Sequence, residues 1–258
     1  MKKNNPNLSD TTSLLITLAI AVSLIIFTEN MILIVLGWLL ILGFVTEYWK
    51  TFKLLKELKP IPEAMISRTE SGLSKLKLTE AHVFVDTETT GLSDNDEIIE
   101  IAVISENGEV LLDTFVKHTS RVEISKGARN IHGIKKRSLK NAPSWHEIYP
   151  KFMESVKGKN ILTYNSDFDE RLINQTCLAW NLPKPLNKYF CVMKLYAAHI
   201  GQFKDNRKNK EYKWWKLLDA MLVYPECAYG DKPHRALVDC EQTRLLTKKL
   251  IELANNPT

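Results

Sequence analysis

Asp86 and Glu88 lie two residues apart in the run His82-Val83-Phe84-Val85-Asp86-Thr87-Glu88. The apolar, β-favouring residues of this run predict a buried strand. The two-residue period of a strand then points both carboxylates to one face of a sheet. Two such charges at the end of a buried strand repel unless a cation sits between them, so the pair suits a metal site. An isolated Asp-x-Glu is more often a solvated strand end or turn. Two further acidic blocks stand downstream, Asn165-Ser166-Asp167-Phe168-Asp169 and His234-Arg235-Ala236-Leu237-Val238-Asp239.

The elements that must position these groups follow from patterning. After the first strand, Thr87-Glu88-Thr89-Thr90-Gly91 leads into a loop. Residues 97–105 and 109–117 are strand-like runs joined by Asn107-Gly108, a strong hairpin signal, so three strands form an antiparallel meander. Helical patterns then alternate with strands: a helix over 144–156, a strand over 160–164, a helix over 168–180 and a strand over 188–193. A long amphipathic helix over 236–254 closes the chain, with Leu237, Leu245, Leu246, Leu250 and Ile251 at helical spacing. A meander followed by such alternation predicts a three-layer α/β domain with a mixed β-sheet.

The blocks Asp-Thr-Glu-Thr-Thr-Gly-Leu at 86–92, Asn-Ser-Asp-Phe-Asp at 165–169 and His-Arg-Ala-Leu-Val-Asp at 234–239 come in the order and rough spacing of one family. The chain resembles the DEDDh (DnaQ-like) 3′→5′ exonucleases, which include the proofreading epsilon subunit of bacterial DNA polymerase III, ribonuclease T, oligoribonuclease and exodeoxyribonuclease X. Ile131-His132-Gly133-Ile134 looks like the family's segment between the third strand and the next helix. Cys191-Val192-Met193-Lys194-Leu195 looks like its Cys-x-Met-x-Leu strand and, with His234-Arg235-Ala236-Leu237, leans towards the exodeoxyribonuclease X branch.

The resemblance implies a ribonuclease H-like fold. Asp86, Glu88, Asp169 and Asp239 match the four metal-binding acids, and His234, five residues before Asp239, matches the general-base histidine. Asp169 is the match rather than Asp167 because the family's acid directly follows the aromatic residue; Asp167 then reads as a helix N-cap. Thr89, Gly91 and Leu92 match positions that hold the terminal nucleotide, although Leu92 suits plain packing equally well. His132 either lines the site or serves the structure.

The implied chemistry is phosphodiester hydrolysis, which demands a nucleophilic hydroxide and stabilisation of charge on both the attacking and the leaving oxygen. Two Mg²⁺ (or Mn²⁺) ions about 4 Å apart supply both, oxygen ligands suit them, and an imidazole takes the proton. The expected substrate is the 3′ end of single-stranded DNA, released as nucleoside monophosphates. RNA is the rival, because nothing in the motifs reads the sugar. A reading from another class is a membrane-anchored nucleic-acid-binding scaffold that has lost catalysis; the intact set of Asp86, Glu88, Asp169, His234 and Asp239 speaks against it.

Between Phe203 and Lys216, six basic residues, Lys204, Arg207, Lys208, Lys210, Lys213 and Lys216, are interleaved with Tyr212, Trp214 and Trp215. Basic side chains can track phosphates while aromatics stack bases. The plainer reading is a solvated loop leading into a helix whose tryptophans pack inward, and contact with anionic lipid is a third.

The net charge of +5 permits nucleic acid as a partner without requiring it. The four cysteines, Cys177, Cys191, Cys227 and Cys240, form no CxxC pair and no zinc-type spacing, so free thiols are expected. Residues 11–27 and 31–45 are almost wholly apolar, interrupted by Thr28-Glu29-Asn30. One continuous helix would be about 50 Å long against a ~30 Å hydrocarbon core. It would also place Glu29 near mid-bilayer at a cost of roughly 3 kcal/mol. Two short spans with a polar turn avoid both problems and set Lys2 and Lys3 on the same side as Lys50, Lys53, Lys56 and Lys59, the cytoplasmic side by the positive-inside rule. The expected organisation is a transmembrane (or re-entrant) hairpin over 1–49, a linker over 50–78 and a nuclease domain over 79–258 facing the cytoplasm from the inner membrane.

Overall fold

The computed structural model describes residues 81–119, 122–204 and 211–255. The expected hairpin over 1–49 and linker over 50–78 lie outside the described residues. Among the described residues, no helix is long and apolar enough to cross a membrane.

Three strands form the expected meander: β1 (His82–Thr89), β2 (Ile98–Ser105) and β3 (Val110–Phe115), each antiparallel to the one before. Asn107-Gly108 makes the β2–β3 turn, where Gly108 takes a left-handed φ of 91° that favours glycine. Its N–H donates to the Ser105 carbonyl at 3.0 Å. β4 (Asn160–Thr163) and β5 (Tyr189–Cys191) add in parallel on the far side of β1, giving a mixed sheet of order β3-β2-β1-β4-β5. The strand that carries Asp86 and Glu88 is thus paired on both edges.

The alternation along β1 decides what each face meets. Val83 and Val85 join a core with Trp145, Phe152 and Val156 of α2 (Trp145–Val156) and with Leu172 and Ile173 of α3 (Ser166–Ala179). Fully burying such side chains stabilises the fold by about 1.5–3 kcal/mol each. Phe84, Asp86 and Glu88 have the opposite parity and point to the other face. Over β1 and β2 runs α6 (Ala236–Asn255), with Ala236, Cys240, Thr243, Leu246 and Leu250 buried; α4 (Val192–Ile200) and α5 (Leu217–Val223) pack on α6. The result is a three-layer α/β domain. Ser144 starts α2 through a reciprocal capping box with Glu147, where the apolar period predicts a helix start.

Three local expectations are corrected. Residues 188–193 are not one strand: β5 ends at Cys191 and Val192 opens α4, because Val192, Leu195, Tyr196 and His199 recur at helical spacing and are buried together. Ile131 and His132 do not connect elements but end a helix, α1 (Lys126–His132), capped by the Ser125 hydroxyl at its start and by left-handed Gly133 (φ 70°) at its end. Asp167 is not an N-cap; Asn165 holds that position, and Asp167, inside the first turn of α3, pairs instead with Lys194 at 2.8 Å. All four cysteines are buried free thiols, as expected.

Candidate active site

Each acid is delivered by a different piece of backbone. Asp86 and Glu88 project from β1, Asp169 stands in the first turn of α3 and Asp239 in the first turn of α6. A helix N-terminus favours a carboxylate through its unpaired N–H groups and dipole, so the fold tolerates both helical acids there. Asp169 is buried and accepts the Thr87 hydroxyl at 2.8 Å. Asp239 accepts the backbone N–H of His234 at 3.2 Å. His234, just before α6, has a left-handed φ of 60°, rare for a residue with a side chain. That backbone brings its Nδ1 to 3.8 Å from an Asp239 oxygen. All five groups line one cleft of about 520 Å³.

Burial, and then mutual repulsion, push these carboxyls upward. Glu88 rises to about 8, first through burial and then through Asp239, Glu100 and Asp169. Asp169 rises to about 7 through burial, against the pull of the Thr87 hydrogen bond. Asp86, which opens onto the cleft but is densely surrounded, rises well above the carboxylate range through burial and then Asp169, Asp239, Glu88 and Glu100. Burial raises Asp239 too, while His234 opposes it. Such a group repels itself unless protons or cations intervene. Ligand atoms of Glu88, His234 and Asp239 lie within 4.8 Å of one another. An oxygen-rich, crowded set of this kind fits hard divalent cations such as Mg²⁺ or Mn²⁺.

A fifth acid escapes a reading of the sequence. Glu100 on β2 stands directly across from Glu88 in the antiparallel register, a like-charge pairing that destabilises a sheet. Arg235 offsets it, its Nη2 and Nε reaching one Glu100 oxygen at 2.6 and 3.0 Å, and the N–H of Ala236 reaches the other at 3.3 Å. The pair therefore ties the start of α6, and with it His234 and Asp239, to the strand that faces Glu88. One signal was available: a lone charge inside Ile98-Ile99-Glu100-Ile101-Ala102 is out of place in an apolar strand.

The rim residues divide. Thr89 and His132 line the cleft, and so does Leu92, which is 75% exposed and is therefore not plain packing. Gly91 does not line it but permits the loop: a Cβ there would lie 2.6 Å from an Asp96 oxygen. Asp96 is held by the Thr90 hydroxyl and the Ser93 N–H, both at 2.6 Å. His132 accepts the Ile134 N–H on Nδ1 at 2.9 Å, so Nε2 carries the proton and donates to the Thr89 carbonyl at 3.2 Å. Burial disfavours its charged form. With both nitrogens committed to backbone, His132 positions Thr89. Of the two adjacent tryptophans, Trp215 packs inward as the plainer reading expects and Trp214 does not; both line the cleft. Arg207, Lys208 and Lys210 lie outside the described residues.

A family profile described as exonuclease (RNase T) matches residues 83–246, well over half the chain and all five clustered groups. This chain belongs to the exonuclease family. An uncharacterised exonuclease of Escherichia phage 186 is 36% identical over 186 residues, covering 70% of this chain and 93% of the phage protein. The PolC-type DNA polymerase III of Caldanaerobacter subterraneus subsp. tengcongensis is 37% identical over 184 residues, but these span only 12% of that polymerase. Among solved structures, exonuclease X in complex with 5′ overhanging duplex DNA superimposes with a TM-score of 0.51 at 22% identity, over 67% of this chain and 93% of that one. The nuclease domain of 3′hExo, a DEDDh family member bound to rAMP, gives 0.51 at 20%, over 67% and 92%. These two likenesses establish the ribonuclease H-like fold of the exonuclease domain. DEDDh exonucleases normally use divalent metal ions.

Proposed function

We propose that this exonuclease hydrolyses single-stranded DNA from the 3′ end, releasing nucleoside monophosphates by two-metal chemistry. The observation that supports the reading best is the convergence of Asp86, Glu88, Asp169 and Asp239 in one cleft beside His234, with each acid pushed upward and with no lysine or arginine paired to any of the four among the described residues. The four carboxylates would hold two Mg²⁺ or Mn²⁺ ions, which supply a nucleophilic water at neutral pH and stabilise charge on the attacking and leaving oxygens. His234, partly exposed to the cleft and held against Asp239, accepts the proton of the attacking water. Thr89 and Leu92 bracket the terminal nucleotide, with His132 fixing the Thr89 backbone.

The test gives the full chain 5′-labelled single-stranded DNA and RNA oligonucleotides with Mg²⁺, Mn²⁺ or EDTA, alongside Asp86→Ala. The expected result is a ladder that shortens from the 3′ end, requires metal and disappears in the variant, with DNA cleaved faster. Faster cleavage of RNA would reassign the substrate. A folded chain that cleaves neither polymer and binds no Mn²⁺ would favour a scaffold without catalysis.

A further inference from the structure

Trp214 lines the cleft that holds Asp86, Asp169 and Asp239, and it is 55% exposed. Its neighbour Trp215 is 7% exposed, with its carbonyl held by the Tyr164 hydroxyl at 2.8 Å. The backbone that presents Trp214 is therefore anchored on the side that follows it. It is anchored on the side that precedes it as well: Phe203 and Tyr212 form an antiparallel bridge with stacked rings 5.0 Å apart, and Lys213 N–H donates to the Gln202 carbonyl at 2.7 Å. The Lys204 ammonium stands 4.3 Å from the centroid of the Trp214 ring and pairs with Glu211 at 2.9 Å, and the ring keeps more than half of its surface exposed.

Resting on the exonuclease reading, we propose that Trp214 is a stacking platform for a base upstream of the terminal nucleotide, and that Lys204 and Lys216 meet the adjoining phosphates. An exposed aromatic ring on anchored backbone, beside two lysines, is what a single strand needs, since every base has a π-face and every linkage a negative charge. A base inside a duplex is already stacked on its neighbours and cannot offer its face, so the platform selects single strands without selecting sequence. An anionic membrane is a poorer occupant, because the ring lines a cleft of about 520 Å³, which a single strand can enter and a bilayer surface cannot.

The test titrates the full chain with a single-stranded 12-nucleotide DNA, with Ca²⁺ in place of Mg²⁺, following tryptophan fluorescence and affinity, and repeats the titration with vesicles containing phosphatidylglycerol. Trp214→Ala should bind the oligonucleotide about ten- to a hundredfold more weakly and lose most of the quenching, whereas Trp214→Phe should bind within about threefold of the wild type. With Mg²⁺, Trp214→Ala should raise KM far more than it lowers kcat. Equal binding by Trp214→Ala, or a Trp214-dependent response to vesicles and none to the oligonucleotide, would overturn the proposal. If the wild type cleaves DNA while Trp214→Ala is unaffected, only the platform falls. If the wild type neither binds nor cleaves, the exonuclease reading falls with it.

Discussion

Glu88 and Asp169 hold their protons to about 8 and about 7, against ordinary values of 4.5 and 3.8. Between those limits the metal-free native state binds more protons than the unfolded chain, so its stability is full below about pH 4 as far as these groups are concerned. That contribution is lost as pH rises through the folded values. In EDTA, the Tm should therefore fall as the pH is raised from about 5 to about 8, and Mg²⁺ should restore more of it at the upper end; a Tm that rises with pH in EDTA would contradict this. Glu88→Gln should raise the Tm in EDTA near pH 8 while removing activity. At Arg235 the expectation has the opposite sign. Its removal leaves the Glu100 carboxylate, 4% exposed, uncompensated across from Glu88. The loss should be about 2–3 kcal/mol, below the ~3–5 kcal/mol of a fully buried pair because the guanidinium is 38% exposed. Urea unfolding of Arg235→Ala measures it, and Arg235→Lys should recover only part, since an ammonium lacks the fork.

The loop between β1 and β2 converts strand geometry into the rim of the cleft, which Thr89 and Leu92 line. The register slips between Glu88 and Thr89, leaving Ile99 as the extra residue, and such a bulge re-aims the chain that follows. Ile99 then packs with Ile124, Ile134 and Leu139, apart from the core that holds Ile98 and Ile101. Gly91→Ala would drive a methyl against Asp96, which cannot withdraw without releasing Thr90 and Ser93. A loss of about 1–3 kcal/mol is expected, seen as a lower Tm, together with a higher KM as Thr89 and Leu92 shift. Elements with a local signal were legible in the sequence: the Asn107-Gly108 hairpin and the helix that starts at Ser144 are examples. Helix α4 was not, because Cys191 and Val192 continue an apolar run, and only burial against the rest of the fold separates its strand-like part from its helical part.

For the whole molecule, the exonuclease domain matches nearly the full length of the phage relative but a small fraction of the PolC-type polymerase, so the same domain stands alone in one protein and inside a larger one in the other. We propose that here the hairpin over 1–49 holds it to the cytoplasmic face of the inner membrane. The support is the apolar pattern of 11–27 and 31–45 and the lysines that flank it. The full chain should stay in the membrane pellet after alkaline carbonate extraction, and removal of residues 1–49 should move it to the supernatant with its nuclease activity retained. Recovery of the full chain in the supernatant would sink the tether.

What the sequence determined by itself was local: the side-chain chemistry of the five site groups, the two-residue spacing that sets Asp86 and Glu88 on one face, and the periods that predict strands and the closing helix. Only the tertiary structure decided how those groups meet. The pairing of Glu88 with Glu100, the rescue of Glu100 by an arginine 135 residues away, and the outward turn of Trp214 beside the inward Trp215 depend on strand register and burial. The physical reason is that period and propensity act over a few residues, whereas register and burial are set by contacts among segments far apart in the chain, and no local window contains them.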